Sequence, residues 1–325
     1  MGQAMIETVR GPVPADELGV TMAHEHLHVL TDGVQTAFPR VYDRDAIVAA
    51  GVQRVRDVEA LGARSMIDLT VIGLGRDIAL TRAVAAEVDM HIVVATGAYY
   101  FDQLPGYFRG RPVEHLAEQF VLDITEGIAG TTSKAAILKC PTDAPGLTAD
   151  NEKLLRAVAI AHRETGTPIS THTHAALQRG RDQVRVFREE GVDLTRTVIG
   201  HCGDTDDFDY LFEIADTGAF LGMDRFGINF TATTEQRVAT IVELVKRGYL
   251  DRIALSHDCM CWSDMFPSPE ARAEVVKGHD FLHISGHVIP ALLEAGITRG
   301  EVDRMFIDNP RRHFEAAAQR FAARS

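Results

Sequence analysis

Eight short runs rich in apolar and β-branched residues recur along the chain, most followed by a turn and then by a stretch of helical periodicity. They are LGVTMA (18–23), RSMIDLT (64–70), HIVVATG (91–97), AAILKC (135–140), PISTHTH (168–174), RTVIGH (196–201), AFLGMD (219–224) and RIALSHD (252–258). Helices are expected between them at Asp45–Leu61, Ala149–Arg163 and Thr234–Arg247. Strands that alternate with helices argue for a parallel sheet. No GxGxxG follows the first run, so an α/β fold of the (β/α)8 TIM-barrel type is expected rather than an open doubly wound sheet. The 325 residues suit one such barrel, and residues 1–325 read as a single domain. The longest irregular stretch, 259–284, follows the eighth run and is the expected substrate loop.

Charge narrows the partners. With 33 basic and 46 acidic side chains the formal net charge is −13, which opposes nucleic-acid backbones and favours a neutral or cationic small molecule. No apolar run approaches membrane-spanning length, and the start, MGQAMIETVRGPVP, lacks the basic and apolar pattern of a secretory signal. The expectation is a cytoplasmic protein with no membrane partner. Cys140, Cys202, Cys259 and Cys261 fit neither a disulfide framework nor paired CxxC knuckles and read as reduced thiols, the last two oxidation-sensitive if exposed.

Barrel enzymes carry their chemistry at the C-terminal ends of the strands, and here those ends are polar. The first run leads into His24 and His26, the fourth ends at Lys139, the fifth at His172, the sixth at His201, the seventh at Asp224 and Arg225, the eighth at Asp258. In extended chain, residues two apart share a face, so His24 and His26 converge while Glu25 faces away. A histidine at a strand end is more often a satisfied polar group than a ligand. Four imidazoles and a carboxylate on one rim, however, match the donors that zinc and related divalent ions prefer. His174 competes with His172 for the role on its strand. Asp204 reads equally as a hydrogen-bond partner behind His201 and as a helix N-cap.

Lys139 is the anomaly, an ammonium in a run otherwise suited to burial on both faces. Next to divalent ions its pKa should fall, and a neutral amine can take up carbon dioxide as a carbamate whose two oxygens bridge a metal pair.

The ordered set RGPV, LGVTMAHEH, IDLTVIGLGRD, ATGAYY, ILKCPTDAPGLT, STHTHA, VIGHCGDTDD, LGMDRFG, LSHD and DNPRRHF, from about Thr8 to Phe314, resembles the phosphotriesterase-like lactonases of the amidohydrolase superfamily. The resemblance implies two divalent metal ions, zinc first and cobalt, iron or manganese as alternatives. His24, His26 and Asp258 would hold the buried ion, His172 and His201 the more exposed one, and N6-carboxylated Lys139 would bridge them. It implies that Tyr99 and Arg225 line the substrate site and that the protein is a homodimer. Trp262, within CMCWSDMF of the strand-eight loop, is the candidate pocket wall.

The expected activity is metal-dependent lactonase action on N-acyl-homoserine lactones and related lactones, the chemistry of quorum quenching, with promiscuous phosphotriester hydrolysis. Water activated by the ions would attack the carbonyl carbon, with Tyr99 assisting the carbonyl oxygen and Asp258 passing the proton to the departing ring oxygen. A phosphotriesterase or other esterase is the alternative. From a different class, a Schiff-base aldolase would use Lys139 but leave the histidines idle. A mononuclear deaminase has no need of the lysine, and a metal-binding scaffold has no need of Asp258 as a base.

Overall fold

The computed structural model describes residues 4–321. Two short strands open the chain, β1 (Met5–Thr8) and β2 (Gly11–Pro14), paired antiparallel around Val9–Arg10. The eight-run pattern had not marked them. Arg10 ties this hairpin to the chain ahead of β5, donating to the carbonyls of Ala85 at 2.8 Å and Met90 at 2.9 Å.

All eight expected strands are present: β3 (Thr21–Val29), β4 (Ser65–Asp68), β5 (His91–Gly97), β6 (Ile137–Thr142), β7 (Ile169–Thr173), β8 (Thr197–Ile199), β9 (Phe220–Met223) and β10 (Ile253–Leu255). A ninth strand of the same sheet, β11 (Met260–Ser263), pairs with β3, and every pairing in the order β10-β9-β8-β7-β6-β5-β4-β3-β11 is parallel. The sheet curls until the chain after β10 meets β3, where Asp258 N donates to His24 O at 3.0 Å and His26 N to Cys259 O at 2.9 Å. The fold is thus the α/β barrel class expected, and among the described residues no helix is long and apolar enough to cross a membrane.

Helix boundaries follow local chemistry. Arg44–Glu59 is capped by Asp43, and Ala149–Thr165 by Thr148 with Gly166 left-handed at its end. Thr234–Lys246 starts at the expected Thr234, from a capping box in which Thr233 is the cap and Gln236 reaches back to it. The DNPRRHF motif seals the opposite end of the barrel: Asn309 Nδ2 donates to Leu250 O at 2.8 Å and Ile253 O at 2.7 Å, while His313 meets the carbonyls of Ile169 and Arg196.

Three details depart from the sequence expectations. β3 runs on to Val29, so His24 and His26 lie inside the strand, because β11 gives that rim segment a partner. β11 itself lies in the stretch expected to be irregular, where CMCW alternates buried Cys259 and Cys261 with partly exposed Met260 and Trp262. Farther along that stretch, Ser268 caps a short helix, Pro269–Val275, with proline in its first turn. Lys139 is mid-strand, since β6 starts late at Ile137 and continues through Pro141 to Thr142, paired with β7.

Candidate metal centre

Close backbone approaches bring the rim together. At Gly97 (φ 133°) a Cβ would sit 1.9 Å from Lys139 O, and at Gly200 a Cβ would sit 2.0 Å from Thr171 O. Only glycine lets β5 press on β6, and β8 on β7, beside Lys139 and His201. His201 and Asp258 hold left-handed backbones, φ 61° and 55°, a conformation rare outside glycine and concentrated at functional sites.

The geometry fixes which ring nitrogen each histidine points inward. Asp224, fully buried, accepts from His24 Nδ1 through Oδ2 and from His201 Nδ1 through Oδ1, both at 2.9 Å, and from the His201 amide at 2.9 Å. Burial alone would raise this carboxyl, but His201 and His24 hold it well below the usual carboxylate range. It is therefore an acceptor, both Nδ1 atoms carry the proton, and both Nε2 lone pairs face the centre. His26 is held likewise: Nδ1 lies 2.9 Å from Thr70 Oγ1, whose hydroxyl donates to His28 O at 3.1 Å. His172 is turned the other way, with Nε2 2.5 Å from Asp143 Oδ2 and Nδ1 inward.

Inside this ring the acceptors crowd. His24 Nε2 and His26 Nε2 lie 3.4 Å and 3.3 Å from Asp258 Oδ1, His201 Nε2 lies 3.8 Å from Asp258 Oδ2, and His172 Nδ1 lies 2.8 Å from His201 Nε2. Burial keeps His24 and His201 below the ordinary histidine range and brings His172 to about 4, so these rings are neutral at pH 7. Burial would raise Asp258, but His24, His26, His201 and Arg225 hold it well below the carboxylate range, so it is ionised. Converging lone pairs around a carboxylate, with His172 Nδ1 and His201 Nε2 facing each other, are donors of the kind that can hold a cation. His24, His26 and Asp258 bring ligand atoms within 4.8 Å of one another. His24, His201 and Asp224 do too, but there the contact is the hydrogen bonding just described.

Lys139 stands among them, buried, with Nζ 3.0 Å from His24 Nε2 and 3.3 Å from Thr171 O. Burial pulls its pKa down to about 8, against the pull of Asp258 and Asp224. Arg225 closes the other side: Nε donates to Asp258 Oδ2 and NH1 to Asp204 Oδ2, both at 3.0 Å. Asp204 also accepts from buried Arg237 at 2.6 Å. It therefore anchors two arginines rather than capping a helix, the cap being Asp207. Tyr99 places its hydroxyl 3.0 Å from His172 Nδ1, and burial raises its pKa, so it remains protonated.

All eight site residues expected from sequence thus gather at one end of the barrel. His174 instead lines a cavity of about 130 Å³ with Asp143, Asp204 and Arg225. Trp262 packs edge-on against Tyr42 and lines a separate cavity of about 820 Å³ that none of the candidate ligands borders. All four cysteines are free and buried, and burial raises their thiol pKa values, which removes the expectation of sensitive thiols at Cys259 and Cys261.

Sequence reading missed Asp143, Thr70 and Phe101, and it gave Asp224 no role. Phe101 stacks on the His172 ring at 5.1 Å. Asp143 was within reach, because it follows Lys139 by four residues and stands just past the end of β6. Asp143→Ala should free His172 to rotate and lower metal affinity at its side of the centre by about 10–100-fold. Competition with a chromogenic chelator checks this, and unchanged affinity would leave Asp143 without the assigned role.

Comparison with known proteins points to one family. A model of the phosphotriesterase family matches residues 4–314. A phosphotriesterase homology protein of Mycobacterium tuberculosis is 46% identical over 95% of this chain and 97% of its own length. An aryldialkylphosphatase of Saccharolobus solfataricus is 38% identical over 93% of this chain and 96% of its own. The solved structure of the phosphotriesterase from Mycobacterium tuberculosis has a TM-score of 0.92 at 46% identity, covering 96% of this chain and 98% of that one.

Proposed function

Because the chain belongs to the phosphotriesterase family, and is therefore a hydrolase, we propose that it is a binuclear metal-dependent lactonase acting on N-acyl-homoserine lactones and related lactones. The observation that carries the reading is the gathering of four inward ring nitrogens around the Asp258 carboxylate, with the buried Lys139 Nζ 3.0 Å from His24 Nε2 and its pKa lowered by burial to about 8. His24, His26 and Asp258 would hold one ion, His172 and His201 the other, with carboxylated Lys139 between them. Zinc suits these nitrogen and oxygen donors, and cobalt, iron or manganese would be accepted by the same set. When bound, such ions polarise the oxygen of the bond under attack and lower the pKa of water.

The chain's own residues do the rest. Asp258, ionised and held by Arg225 Nε, takes the proton of the attacking water and delivers it to the ring oxygen as the ester bond opens. Tyr99, protonated, donates toward the oxygen on which charge develops, and Arg225 stabilises negative charge beside it. The product is a hydroxy acid. The same reading treats residues 1–325 as one barrel domain with 259–284 as the substrate loop, and the protein as a cytoplasmic homodimer.

A phosphotriester as the main substrate is the second reading, favoured by the aryldialkylphosphatase relative. Turnover of N-acyl-homoserine lactones, simple γ- and δ-lactones and a dialkyl aryl phosphate by metal-quantified protein separates them. Lactone turnover well above the phosphotriester is expected, and the reverse order would transfer the assignment. The Schiff-base reading of Lys139 predicts covalent trapping of a carbonyl substrate by borohydride. Under the hydrolytic reading none is expected.

Carboxylation needs the neutral amine. With a folded pKa of about 8, the neutral fraction of Lys139 rises roughly tenfold from pH 7 to pH 9 and then levels off. Metal reconstitution of the stripped protein at fixed dissolved carbon dioxide should accelerate over that window and plateau. A rate still climbing tenfold per unit above pH 9 would mean an unperturbed amine.

A further inference from the structure

Glu25 lies between His24 and His26 in sequence but on the opposite face of β3, fully buried. Its carboxylate reaches the seam between β3 and β10, two strands that share no ladder of their own. There it gathers four donors from one short segment. Oε1 accepts from Ser256 Oγ at 2.7 Å, His257 N at 3.0 Å and His257 Nδ1 at 2.7 Å, and Oε2 accepts from Cys259 N at 2.8 Å. The amides of His257 and Cys259 flank Asp258, the residue with φ 55°, so a single carboxylate grips both peptide groups around the left-handed turn. Ser256 Oγ completes the clamp by accepting from His24 N at 2.9 Å.

His257 extends the connection. Its carbonyl accepts from His279 Nε2 at 2.8 Å, and its own Nε2 accepts from Ile284 N at 3.3 Å, so the far end of the 259–284 stretch returns to the residue next to Asp258. Phe281 packs against the same imidazole, with ring centroids 6.0 Å apart.

We propose that Glu25 is a positioning residue with two effects: it imposes the backbone turn that aims Asp258 at the metal centre, and through His257 it latches the end of the 259–284 stretch to that centre. The first effect rests on the assignment of Asp258 as a ligand under Proposed function. The second needs only the hydrogen bonds above.

The test uses Glu25→Gln and His257→Gln in the full chain. An amide in place of the carboxylate turns an NH2 group toward a backbone donor at nearly constant volume. Hydrogen exchange by mass spectrometry at 256–264 and 279–288 is measured alongside metal affinity by chelator competition. For Glu25→Gln, exchange in both segments should rise by about tenfold or more and metal affinity should fall by about 10–100-fold, with exchange in Ala149–Thr165 unchanged. For His257→Gln, exchange at 279–288 should rise while metal affinity stays within about threefold, because the carboxylate keeps its hold on Ser256 and Cys259. Wild-type exchange and affinity in Glu25→Gln would overturn the proposal. If that variant does not fold, wild-type exchange at 279–288 in His257→Gln overturns it instead. A wild-type chain that binds no metal would sink the metal assignment, while the exchange measurements would still decide whether Glu25 latches the stretch.

Discussion

Replacing Asp258 with Asn should lower lactone turnover by roughly 10²–10⁴-fold, the usual range for loss of a positioned general base. Asparagine keeps the shape and one oxygen to face His24 and His26, but it cannot take a proton and no longer balances the Arg225 guanidinium 3.0 Å away. The loss should fall mainly on kcat, since Tyr99 and Arg225 remain to position the substrate. Because Asp258 is held well below the usual carboxylate range, the wild-type enzyme should keep its base ionised through neutral pH, and this group should limit the rate only in strong acid. An unchanged rate in Asp258→Asn would remove the proton-transfer role and favour another base.

The second large effect has two opposing parts. Lys139→Met should abolish binding of the metal pair and with it nearly all turnover, because methionine offers no amine to carboxylate. In the stripped protein the same substitution should raise stability, by roughly 1–3 kcal/mol at pH 7. The sign follows from linkage. Burial lowers Lys139 from 10.5 to about 8, so the unfolded chain holds its proton more tightly than the folded one. The penalty is complete below about pH 8 and fades as pH rises toward 10.5, and the advantage of the variant should fade over the same window. Denaturant unfolding of stripped wild-type and variant at pH 7 and pH 9.5 measures it. A less stable variant at pH 7 would mean that Lys139 contributes packing or hydrogen bonding worth more than its desolvation cost.

The barrel was legible in the sequence because each of its strands is a local signal: a short apolar run with a turn behind it. β1, β2 and β11 were not, since short pairs depend on partners distant in sequence, and the CMCW alternation is too brief to stand out from a loop. The gathering of the candidate ligands was legible because spacing and strand ends point to it, and the lysine stood out against its apolar neighbours. The layer behind the ligands was hidden for a physical reason. Asp224 serves His24 and His201 from a different strand, Asp143 serves His172 across β6 and β7, and Glu25 clamps a segment more than two hundred residues away. No periodicity encodes such contacts. The ring inversion at His172, with Nδ1 inward where the others present Nε2, is likewise set by where Asp143 stands, not by any pattern around the histidine.

The most direct test of the central claim is a metal titration: strip the protein with chelator, add zinc in increments with bicarbonate present, and follow hydrolysis of an N-acyl-homoserine lactone. Activity that vanishes on stripping and returns to a maximum at two equivalents per chain is the predicted result. Full activity in the stripped protein, or a plateau at one equivalent, would contradict a binuclear centre built on Lys139.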